Sequence, residues 1–186
     1  LFMETHMQKY NTKKLSNIQS LILYFFIFAF LGWILETIYC IFELGHFYNR
    51  GFLYGPICPI YGCGAIILLT TLKKYKNNSI KLFLYSIVIF SAFEYLVSFM
   101  LDALFSAHWW DYTNDFFNLN GRISIFYSFA WGIIAILFIN HIFPFLEKKV
   151  NFLLEKTPFI LQQIILNTSI IIFIIDTFIS CIRYIK

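Results

Sequence analysis

Hydrophobic and polar positions alternate along this chain in long blocks rather than at the short spacing of a soluble fold. Five apolar segments stand out, at residues 18–42, 57–72, 80–104, 123–143 and 159–182. Apart from the short second one, each is close to the roughly 20 residues that carry a helix across about 30 Å of hydrocarbon. Backbone groups in lipid must find their partners within the segment, so these blocks predict α-helices. The alternating strands of about ten residues that a membrane β-barrel needs are absent. The pattern therefore predicts an all-α, polytopic transmembrane bundle with five spans.

One stretch breaks the pattern. RGFLYGPICPIYGCGA, residues 50–65, holds four of the eight glycines and two of the four prolines. Gly51 and Gly55 permit tight turns, and Pro56 and Pro59 delay a regular helix. At membrane depth such backbone is tolerated where protein or a wet cavity surrounds it. The stretch predicts a partly re-entrant segment that presents Arg50 and Tyr54 to the acidic residues of neighbouring spans.

Composition and charge sharpen this picture. The chain is 60% hydrophobic and 13% charged, about half the charge of a soluble domain. Residues 1–6 read as a cloning remnant, because His6-Met7 resembles a junction. Residues 7–17 read as a cytoplasmic tail and 18–186 as a single transmembrane domain. A net charge of +4 points to neither nucleic acid nor an acidic partner. Ten lysines (9, 13, 14, 73, 74, 76, 81, 148, 149 and 156) fall on one side of the predicted spans, against Arg50, Arg122, Arg183 and Lys186 on the other. Positively charged connections stay in the cytoplasm, which places the N-terminus inside and the C-terminus outside. Residues 144–158, bounded by prolines and amphipathic, predict an interfacial helix on the cytoplasmic face.

The polar residues inside the spans are candidates for function, since lipid tolerates few of them. Gly32, Glu36, Cys40 and Glu43 share one face of the first span. Ser91, Glu94, Ser98 and Asp102 share one face of the third. The connection 106–124, with His108, Trp109, Trp110, Asp111, Asp115, Asn118, Asn120 and Arg122, falls on the same outer side. These positions predict one outward polar site, with Glu36, Arg50, Tyr54, Glu94, Asp102, Trp110, Asp111, Asn118 and Arg122 as binding residues. Asp176, Ser180 and Arg183 share a face of the last span and predict a structural ion pair. Cys40, Cys58, Cys63 and Cys181 read as packing residues, with a Cys58–Cys63 disulfide left open and no zinc pattern. No nucleotide loop, dinucleotide fingerprint or hydrolase motif occurs, so no metal or cofactor is expected and any ATP hydrolysis belongs to another chain.

Four blocks carry a resemblance. FLGWILETIYCIF, RGFLYGPICPIYG, EYLVSFMLD and WWDYTNDFFNLNGRISIFYSFAWG resemble, in order, those of bacterial membrane proteins called putative ABC-transporter type IV, over roughly residues 29–134. The family's shared positions fall here on Gly32, Trp33, Glu36, Arg50, Gly51, Tyr54, Glu94, Asp102, Trp110, Asp111, Asn118, Arg122 and Trp131, among others. Where the family often has a proline after the Trp-Asp-Tyr block, this chain has Phe116-Phe117. The resemblance implies a multi-pass protein of the bacterial cytoplasmic membrane and a permease that partners an ATPase.

Three functions fit the residues. The first is a permease or transport subunit for a small polar or cationic solute, completed by an ATPase subunit or by homo-oligomerisation. In the second, the chain is an integral-membrane enzyme acting on a lipid or polyprenyl-linked substrate at the outer leaflet, with Arg50 and Arg122 gripping a phosphate. The third is a non-catalytic scaffold whose buried charges specify packing. The bilayer is a partner in all three.

Overall fold

A computed structural model describes residues 14–47, 51–106 and 108–185. Helix α1 covers Asn17–Leu44. Its start is fixed by a capping box, in which Ser16 and Gln19 satisfy each other's backbone amides. Its end is fixed by Gly45 at a left-handed φ of 73°. Helix α2, Pro59–Ile67, opens into a π turn over Leu68–Leu72 and a short 3-10 turn over Lys73–Tyr75. Helix α3 runs Ser79–Phe105 behind the side-chain cap of Asn78. A small antiparallel ribbon pairs β1, Asn118–Leu119, with β2, Ile123–Ser124. Helix α4, Ile125–Leu137, continues through a π turn at Phe138–Ile142 into α5, Phe143–Lys156, and α6 covers Phe159–Tyr184.

Among the described residues four helical stretches are long and apolar enough to cross a membrane: Asn17–Leu44, Ser79–Phe105, Ile125–Lys156 and Phe159–Tyr184. The second predicted span is helical too, over Pro59–Ile67 and the π turn Leu68–Leu72, and is shorter than these four. Pro144 does not break the chain into a separate helix. The π turn that ends at Ile142 lies just before it and loosens the backbone at Asn140, whose carbonyl the proline ring would otherwise press against. The helix of the fourth span thus continues into the amphipathic stretch.

The chain divides into two compact units, Leu1–Ile66 with Leu146–Ile182, and Ile67–Phe145 with Arg183–Lys186. In the first, Phe173 of α6 meets Phe25 and Phe26 of α1 edge-on at 5.4 and 5.8 Å. Gln19 and Gln163 join the same helices by a 2.8 Å hydrogen bond. The absence of a side chain at Gly62 admits the ring of Phe25, and at Gly32 the ring of Tyr61, so α2 lies close against α1. The irregular residues before α2 are tied in by the Cys58 amide, which donates to the Ala29 carbonyl at 3.0 Å.

In the second unit α3 and α4 form an antiparallel hairpin. Ser91 and Ser128 share a 2.7 Å hydrogen bond, and two turns earlier on α3 the ring of Phe83 fills the space over Gly132. Phe90 and Trp131 stack at 5.4 Å between them. The connection over 108–124 does not project away from this hairpin but turns back along α3, where Asn120 donates to the hydroxyl of Tyr95 at 3.0 Å.

A Cβ added at Gly132 would lie 2.5 Å from Cδ2 of Phe83. Gly132→Leu should therefore destabilise the hairpin by about 1–3 kcal/mol, the usual cost of overpacking. A lowered Tm in detergent, partly restored by adding Phe83→Ala, is the expected result.

Candidate functional site

Ser91, Glu94, Ser98 and Asp102 recur every three or four residues on α3, and the structure places all four against the α4 hairpin or the 106–124 connection. Glu94 is the innermost acid of the set and is only 6% exposed. Its Oε1 accepts from the hydroxyl of Tyr112 at 3.0 Å, and its Oε2 accepts from Nε1 of Trp131 at 3.0 Å. Both donors are held by neighbours: Tyr112 stacks on Tyr127 at 4.5 Å and Trp131 on Phe90. Both are also neutral. Among the described residues no cation reaches Glu94.

Two turns further along α3 the chemistry differs. Asp102 receives Nη2 of Arg122 at 2.6 Å and has Nε2 of His108 at 3.5 Å, while Nη1 of Arg122 donates to Ser98 at 3.2 Å. The Arg122 side chain is 16% exposed, and its guanidinium carbon lies 5.9 and 5.7 Å from the ring centres of Tyr95 and Phe99. Trp110 donates to the Arg122 carbonyl at 2.9 Å and so anchors the backbone that carries the arginine. Asp102 thus has a cationic partner of its own.

Asp111 and Asn118 shape the connection rather than face the helices. Asp111 accepts from the hydroxyl and the amide of Thr113, which hold its exposed carboxyl below the usual range. Asn118 donates to the carbonyls of Thr113 and Asp115 and accepts from the Gly121 amide. Gly121 has a φ of 66°, and a Cβ there would meet Thr113 and Asp111, so only glycine fits this turn. Tyr112 sits between this turn and Glu94.

The remaining predicted residues lie in the other unit. Glu36 accepts from the hydroxyl of Tyr61 at 2.5 Å. Tyr54 contributes its backbone: its amide and that of Gly55 donate to Asp176 at 3.0 and 2.8 Å. Arg50 lies outside the described residues. Glu94, Asp102, Trp110, Asp111, Asn118 and Arg122 are therefore gathered around the α3–α4 hairpin, whereas Glu36 and Tyr54 belong to the unit built on α1 and α6. The expected ion pair of Asp176 with Arg183 is replaced by hydrogen bonds from those two amides and from Ser180. None of the four cysteines is joined in a disulfide.

Four partners were not among the predicted site residues: Tyr61, Tyr112, Trp131 and Asp176. Asp176 carried a signal, as an acid within an apolar segment, but was read as half of an ion pair. Tyr61, Tyr112 and Trp131 fall at positions shared with the resembled family, but the two aromatic donors to Glu94 stand 18 and 37 residues away from it, and spacing alone does not pair them with it.

Tyr112→Phe should destabilise the protein by about 1–3 kcal/mol at neutral pH, because it leaves one oxygen of a buried acid without a donor. Thermal unfolding in detergent should show a lowered Tm for Tyr112→Phe, whereas Tyr127→Phe, which keeps both donors to Glu94, should change it less.

No curated protein and no solved structure matches the chain. The sequence model of one family, described as putative ABC-transporter type IV, matches residues 23–181. That match takes in both units and every predicted site residue, and the chain belongs to this family.

Proposed function

We propose that this membrane protein is a transport subunit for a small polar or cationic solute, with Glu94 as the group that exchanges a proton or cation. The observation that carries the reading is the balance of charge at Glu94. A carboxylate withdrawn from water and met only by neutral donors keeps a charge that the surroundings do not offset. Asp102, two turns away, has its own arginine. The chain neutralises one acid for structure and leaves the deeper one open to a proton or a passing cation. The family's description, which names a transporter, supports the same reading. Arg122, held by Asp102 and Ser98, is not placed as a phosphate grip, which counts against an enzyme of lipid headgroups.

In this proposal the short helical segment 57–72 is a fifth span, the residues before it dip partly into the membrane, and the N-terminus is cytoplasmic with the C-terminus outside. The ten lysines gathered on one side of these five segments support that orientation. The membrane is the bacterial cytoplasmic membrane, and an ATPase subunit or a second copy completes the pathway.

Two experiments test the reading. In a thermal-shift panel of inorganic and organic cations, at least one should raise the Tm of the wild type and of Glu36→Gln but not that of Glu94→Gln. Equal responses in the wild type and Glu94→Gln would exclude the role given to Glu94. For orientation, single cysteines at Asn114 and Lys74 in a background without the native cysteines are treated with an impermeant thiol reagent on intact cells. Asn114→Cys should label directly and Lys74→Cys only after permeabilisation; the opposite order would invert the topology.

A further inference from the structure

The connection between α3 and α4 carries an apolar tip on an otherwise polar loop. Phe116 and Phe117 are 85% and 76% exposed and meet edge-to-face at 5.4 Å. Around them stand Thr113, Asn114, Asp115, Asn118 and Asn120. Phe117 has a φ of 54°, a left-handed conformation that bulky residues rarely adopt and that persists only when the surroundings impose it. The imposing contacts are the two carbonyls bound by Asn118, the Gly121 amide on its oxygen, and the Tyr112 amide on the Gly121 carbonyl at 2.8 Å. The two rings are held outward by a braced turn.

The level of this turn follows from its partners on α3. Asn120 bonds Tyr95, Tyr112 bonds Glu94, and Asn118, next to Phe117, pairs with Ser124 at the start of α4. With Lys81 at one edge of the hydrocarbon, about 30 Å at 1.5 Å per residue puts the other edge some 20 residues on, near Leu101. Glu94 and Tyr95 then lie roughly 10 Å inside it. Leu119 and Ile123 of the ribbon share one hollow with Tyr95, Leu96 and Phe99 of α3. Leu119, Ile125 and Phe126 are all largely exposed at the same level, so the apolar surface of the spanning helices continues onto the loop.

We infer that the tip of the connection around β1 re-enters the membrane, with Phe116 and Phe117 seated among the acyl chains of the leaflet on the side of the α3 C-terminus. The occupant is lipid because the tip lies at hydrocarbon depth and joins a surface that already faces lipid. The inference stands apart from the role given to Glu94.

Spin labels at Phe116→Cys and Phe117→Cys, with native cysteines replaced by serine, test it in vesicles of phosphatidylcholine and phosphatidylglycerol. Collision with oxygen should exceed collision with a water-soluble nickel chelate severalfold at both sites, and the order should reverse at Asn114→Cys. Nickel access at 116 and 117 equal to that at 114 would put the tip in water and overturn the inference. Low access to both reagents would mean a protein cover, a second copy or another chain, and would overturn it too. The unmodified protein gives an independent readout: phosphatidylcholine with a diazirine on its acyl chain should label the peptide containing Phe116 and Phe117. Labelling confined to the helices would count against lipid contact.

Discussion

A carboxylate within a membrane helix needs hydrogen-bond donors from elsewhere in the chain, and here the irregular segments supply many of them. Glu94 draws on Tyr112 of the α3–α4 connection, and Asp102 on Arg122 of the same connection. Asp176 draws on the amides of Tyr54 and Gly55, ahead of α2. Each bond answers two needs at once. The acid gains the donors that lipid cannot offer, and the loop backbone gains a fixed partner where no regular ladder is available. The apolar spans by themselves would leave both connections without a defined place.

Donor type separates these acids by role. The Asp102–Arg122 pair matches charge with charge, and Ser98 and Trp110 secure the arginine at its side chain and its carbonyl. Such a pair orients the connection firmly, and removing either partner strands the other. At Asp176 the donors are two successive backbone amides, which a side-chain change elsewhere cannot replace. Glu94 has two aromatic donors that are themselves stacked on other rings. Its geometry is as fixed as that of Asp102 while its charge is not offset, and that contrast is the reason to look for chemistry there rather than at the ion pair.

Much of this was legible in the sequence. The face of α3 that gathers Ser91, Glu94, Ser98 and Asp102 follows from helical spacing alone, and the four long helices follow from uninterrupted apolar runs. Pairings between distant segments were not legible. Trp131 and Tyr61 stand at positions the resemblance shares, but their partners could not be read from it, because ring placement depends on how the helices approach each other, as α2 does α1 through Gly32 and Gly62. Pro144 misled for a local reason: a proline reads as a helix end, yet a π turn just before it absorbs the lost bond and the clash. Asp176 was read by charge, toward Arg183, when the stronger demand came from unsatisfied loop amides nearby.

The same logic bears on why the α3–α4 connection is so heavily bonded. A loop that only joined two helices in water would need little more than a turn, and its exposed phenylalanines would be a cost. This one spends the side chains of Asn118 and Asp111 and a left-handed glycine on a single turn, and holds Phe117 in a disfavoured conformation besides. Polar groups of the backbone must be satisfied internally only where water is scarce. Internal satisfaction of the turn, outward aromatic rings and a hydroxyl reaching down to Glu94 are all what a segment lying within the bilayer requires. They place the loop in the same solvent as the helices it connects, and make the position of Tyr112 over Glu94 a consequence of how that loop meets the lipid.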